Sequence, residues 1–134
     1  MNPKLALLFW FVMVLIAIAN GLFGQFVLEK AIGDYATHLY KTFFIIAVIF
    51  VFSHFYVRMT SGDSPVWYFP ALAAGVQWLL SSLAFEFLAG HYIFRIPWER
   101  LVADNRILEG RIWSLVFVTE VVAPLANAYF FIKR

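Results

Sequence analysis

His38, Glu86, His91 and Glu120 lie in or beside long apolar stretches, where ionisable groups are expensive and need a reason to be present. A carboxyl group in such a place can hold a proton or a cation, and an imidazole can act as a base or a metal ligand. Arg95 and Arg111 are near in sequence and can pair with carboxylates or hold phosphate. Glu99 and Asp104 add two more acids to the same stretch of chain. Several chemistries are open to these residues. Glu86 and Glu120 could serve a proton-linked or polar-solute site. A carboxylate or histidine base with arginines could act on a lipid head group. His38 and His91, helped by Glu86, could ligate a metal or haem. The plain alternative is that the charges pair only to lock helices together.

The elements that carry these residues follow from composition. The chain has 134 residues, 63% hydrophobic and 13% charged, against about 45–50% and about 25% in average soluble domains. A soluble core of this size could not hide so much apolar surface. The net charge of +2 and the lack of a dense basic stripe speak against nucleic acid. With no cysteine, disulfides, thiolate catalysis, Cys zinc sites and iron–sulfur clusters are excluded. No resident cofactor or metal is expected, and no P-loop, Rossmann, HExxH or GxSxG motif is present.

Four segments have the roughly 20 apolar residues that a membrane span needs: about 5–26, 37–57, 66–90 and 112–132. The expected fold is an all-α integral membrane protein, a four-helix bundle forming one membrane domain over 1–134. A short amphipathic helix is expected at about 97–109, between spans three and four. Pro97 opens it, and Trp98, Leu101, Val102, Asn105 and Leu108 recur along one side. Trp98 and Trp113 would anchor at head-group level. Lys4 and the run through Ala17-Ile18-Ala19 resemble a secretory signal, although the apolar run continues through Val27. Six Lys/Arg on one side against four on the other favour an external N-terminus, but several of the six belong to the polar cluster, so orientation stays open.

Four spans put connections one and three on the same side of the membrane. That gathers His38, Glu86, His91, Arg95, Glu99, Asp104, Arg111 and Glu120 in one leaflet, with Asn20 and Gln25 approaching from the first span. Glu86 shares a helical face with Gly75, Ser82 and Ala89; Glu120 shares one with Trp113, Ala123 and Asn127. Both acids should therefore face other helices. Ala17, Gly21 and Gly24 form a small-residue seam of the kind that lets helices approach closely.

The stretch Ala84-Phe85-Glu86-Phe87-Leu88-Ala89-Gly90-His91-Tyr92, then Trp98-Glu99-Arg100-Leu101-Val102-Ala103-Asp104-Asn105 and Gly110-Arg111-Ile112-Trp113, resembles a family of small bacterial four-span membrane proteins. Its members share an FEFxxGHY…WxxLLADYN…GRLW-like run and an upstream Gly…Ala-His element, matched here by Gly33 and Ala36-Thr37-His38. This chain departs at Thr37, where a small residue is usual, and lacks the Tyr before Asn105. The resemblance covers about half the chain. It implies four spans and a bacterial inner-membrane location, and no activity. The expected role is non-enzymatic: handling a polar solute or proton, or stabilising a partner complex. Membrane lipid and a second copy or a membrane partner are the expected company. An embedded enzyme acting on a lipid or prenyl substrate is the alternative.

Overall fold

The computed structural model of the protein describes residues 3–60, 65–93, 95–103 and 114–133. Among them there are helices and no strand. Four helices are long and apolar enough to cross a membrane: α1 (Pro3–Ile32), α2 (Asp34–Thr60), α3 (Phe69–Tyr92) and, after the short α4 (Trp98–Ala103), α5, whose spanning part is Ser114–Phe131.

The helices run past the limits expected from hydropathy. Glu29 and Lys30 belong to α1 and Asp34 opens α2, so the first connection shrinks to Gly33. The reason is local. Gly33 takes φ +89°, ψ 169°, a conformation open to glycine and strained for other residues. Its carbonyl accepts from both the amide (3.2 Å) and the Oγ1 (2.7 Å) of Thr37, which starts the next helix at once. Asp34 in the first turn suits the positive end of the helix dipole. The third span begins at Phe69 rather than 66, with Pro70 in its first turn, where no amide is needed. Of the expected amphipathic segment, Trp98–Ala103 is helical and the remainder lies outside the described residues.

Packing is uneven. The most apolar stretch of α5 is 39% buried and that of α1 only 17%, which makes α5 the inner helix and α1 the outer one. Gly75 is the contact point of α3 with α5: a Cβ there would lie 2.9 Å from the Glu120 carbonyl and 3.0 Å from Val121 Cα. That carbonyl is the one Pro124 leaves without its helical donor, because proline has no amide hydrogen. Trp78 and Tyr56 are fully buried beneath the first turns of α1. Trp78 Nε1 donates to the Ala6 carbonyl at 2.9 Å, and Phe9, Phe52, Tyr56 and Trp78 meet edge to face at 5.5–5.9 Å. Asn127 is buried at the same end, its Nδ2 donating to the Ala123 carbonyl at 2.9 Å.

Candidate functional site

Towards the other end α1 no longer closes on the bundle, and a cavity of about 790 Å³ opens between α1 and α5, flanked by α2 and α3. Its inner end is set by Trp10, Ile49 and Glu120; its outer end carries Gln25, Glu29, Arg95 and Arg100. Exposure runs in the same order. Ile45, Ile49 and Glu120 are buried, whereas Gln25, Arg95 and Arg100 are exposed. Ser82 and Gly90 both line it, eight residues apart on α3, so the cavity is about 12 Å deep at 1.5 Å per residue. Beyond the inner end lie Asn127, two turns past Glu120, and the edge-to-face rings of Phe9, Tyr56 and Trp78, and none of these lines the cavity.

Two glutamates converge inside. Side chains of helical residues lean towards the N-terminus of their own helix. Because α3 and α5 run antiparallel, Glu86 leans inward from the outer end and Glu120 leans outward from the inner end. The two carboxyls are close enough to act on each other electrostatically, and the Ser82 hydroxyl donates to Glu120. Ser82 Oγ in turn accepts from Trp10 Nε1 at 2.9 Å. Glu120 is 5% exposed, and its Oε2 has no hydrogen-bond partner among the described residues. A wide π-helical turn at Phe85–Ala89 sits beside this pair. The extra residue in such a turn rotates the rest of the helix about its axis, so Gly90 lines the cavity and Ala89, expected on the Glu86 face, does not. A second π turn, Gly24–Leu28, carries Gln25 to the outer end from α1.

The remaining residues divide sharply. His38 is 4% exposed, lines the cavity and stacks on Tyr35 at 6.4 Å. His91 does not line it. Its Nδ1 is 2.9 Å from the Ile96 carbonyl, which makes Nδ1 the protonated donor, and its ring stacks on Trp98 at 4.0 Å. His91 thus pins the turn after α3, together with the Ile96 amide bonding to the Gly90 carbonyl at 2.9 Å. Within that turn Arg95 takes φ +56°, unusual for a residue with a Cβ, and reaches the cavity. Glu99 is exposed on α4 and is not a lining residue. Asp104 and Arg111 lie outside the described residues, as does Trp113. No group of three or more His, Asp or Glu among the described residues is placed to hold a metal ion.

Four lining residues do not stand out from sequence: Trp10, Lys41, Ser82 as a direct partner of Glu120, and Arg100. Lys41 lies three residues after His38 and so shares its face, a readable signal. Trp10 offers another, since an indole in mid-span needs a partner for its N–H. Arg100 reads from sequence only as an i, i+4 partner of Asp104. The glycine seam of α1 also splits in function. Gly24 packs tightly, its missing Cβ 2.9 Å from Lys41 Cδ and 3.0 Å from Thr37 Cγ2, but Gly21 faces open space within the cavity.

Comparison with known proteins returned no matching family model, no matching curated protein and no matching solved structure.

Proposed function

We propose that the protein crosses a membrane with its four long helices and acts without enzymatic chemistry, holding a polar solute in the cavity between α1 and α5. The carrying observation is the form of that cavity: about 790 Å³, polar at its outer end and reaching the buried Glu120 at its inner end. Support for membrane insertion comes from surface chemistry. Leu8, Phe11, Leu15, Phe26, Phe43, Phe55, Leu80 and Val118 all stand more than half exposed on the four helices, a surface suited to lipid. In that setting α4 lies at the interface with Trp98 at head-group level, and the cavity serves one leaflet. The bacterial inner membrane implied by the sequence resemblance is the proposed location. The cavity lining ends at Glu120, so one copy is a holder and not a passage; release to the far side would need a second copy or a membrane partner.

The alternative, an embedded enzyme on a lipid or prenyl substrate, draws on Glu86 sharing a cavity with Arg95 and Arg100. It loses His91 as a base for that cavity, because His91 is not among the lining residues and its ring packs between the Ile96 carbonyl and Trp98.

Native mass spectrometry of the detergent-purified chain tests the holder. A small-molecule adduct is expected on the wild type and absent from Gly21→Phe, which fills the open space beside Gly21. Equal adducts on both proteins would place the molecule elsewhere and sink the proposal; so would a wild type that never carries one.

A further inference from the structure

The two ends of the cavity differ in the hydrogen-bonding groups they offer, and that difference selects a ligand. At the inner end the groups are acceptors. Glu120 Oε2 is buried with no hydrogen-bond partner among the described residues, and Glu86 is a second carboxyl. Among the described residues, Trp10 Nε1 donates to Ser82 and the Ser82 hydroxyl to Glu120. Asn20 Nδ2, farther out, is directed at the Lys41 carbonyl at 3.4 Å. A molecule seated there meets the partnerless Oε2 best by bringing its own N–H or O–H, because a carboxyl group keeps acceptor lone pairs whether or not it holds a proton. Two carboxyls on the walls of one cavity favour a positive charge over a neutral donor. The rings of Trp10, Phe85 and Phe117 on the same walls favour it as well.

At the outer end Lys41, Arg95 and Arg100 supply donors, with Glu29 the acid among them. Arginine and lysine carry no acceptor, so they call for an anionic group. An ordinary phospholipid fits poorly, since its apolar tail would have to occupy the end where the carboxyls are.

We propose that the cavity takes a small amphoteric solute lengthwise, its ammonium group inward against Glu120 and Glu86 and its anionic group outward against Arg95 and Arg100. This rests on the cavity being a solute site at all. The solute class is an ω-amino acid or amino-phosphate whose two charges are separated by several methylenes, which suits a depth of about 12 Å with Met13, Val14, Ile45 and Val116 between the polar ends.

The test uses the full chain in lipid nanodiscs and isothermal titration with three probes of one length: 6-aminohexanoate, hexylammonium and hexanoate. The expected order of affinity is as written, with 6-aminohexanoate at least tenfold tighter than hexanoate. Glu120→Gln should weaken 6-aminohexanoate and hexylammonium at least tenfold and leave hexanoate unchanged. Glu86→Gln, at a half-buried position and so safer for folding, should weaken the same two severalfold. The Arg95→Gln, Arg100→Gln double variant should weaken 6-aminohexanoate and spare hexylammonium. Hexanoate binding as tightly as hexylammonium, or indifference of both amines to Glu120→Gln and Glu86→Gln, overturns the assignment of charge. If hexanoate alone binds and Gly21→Phe abolishes it, the solute site stands and the amphoteric ligand fails. If no probe binds and Gly21→Phe changes no native adduct, both fail together.

Discussion

The two ends of this bundle are built from the same helices, yet one is sealed and the other is hollow. At the sealed end Trp78 and Tyr56 are 0% exposed, and α1 is tied down by an indole-to-backbone hydrogen bond and a run of edge-to-face rings. At the hollow end the same α1 leaves a cavity lined by polar side chains from every long helix. Large flat side chains fill the sealed end, and the N–H that Trp78 brings with it is taken up by the Ala6 carbonyl. At the other end α1 lines the gap with apolar residues interrupted by Ala17, Asn20, Gly21 and Gln25, and no ring stack closes it. One helix can thus be a structural strut at its first turns and the wall of a site three turns later.

Trp78→Ala should break the sealed end most severely. A buried Trp→Ala change costs about 3–5 kcal/mol in a core, and the lower part of that range is expected where lipid replaces water as the reference. The measurement is thermal unfolding in detergent, and a loss below about 1 kcal/mol would deny the end its role. Gly75→Ala comes next. Its new methyl would press on the Glu120–Val121 backbone at 2.9–3.0 Å, so roughly 1–3 kcal/mol should be lost. Because that backbone carries Glu120, solute affinity should fall with stability, which links the two ends.

Trp10→Phe removes the donor to Ser82 at the boundary between the ends and should cost about 1 kcal/mol. It should also weaken a bound solute more than it weakens the fold, readable by comparing melting with and without 6-aminohexanoate. Gly21→Phe is the smallest in stability, with an expected change within about 0.5 kcal/mol of zero, since the site is open and the helix loses a flexible residue. If it unfolded the protein, the hollow end would have to be packed rather than open.

The sequence was informative where a property depends on runs and on single residues. Four apolar stretches predicted four long helices, and topological parity placed His38, Glu86, His91 and Glu120 towards one end. Helix ends were less legible. Hydropathy registers the apolar run and stops at Glu29, whereas the backbone continues until a glycine or proline prevents it.

Which side chains meet was decided by tertiary structure. His38 and His91 look equivalent in sequence, but one lines the cavity and the other is held by a carbonyl and an indole. Glu99 and Arg100 are neighbours on α4, and only Arg100 reaches the cavity. A 3.6-residue period assumes an unbroken α-helix, and the π turn at Phe85–Ala89 rotates the face presented beyond it. The opposite directions of α3 and α5 bring Glu86 and Glu120 together from different depths, and the looseness of α1 leaves the space between them. Membrane suitability and the polar end are written in the chain because transfer free energy sums over residues. The cavity exists only because helices pack unequally, a property of the whole bundle that no single segment contains.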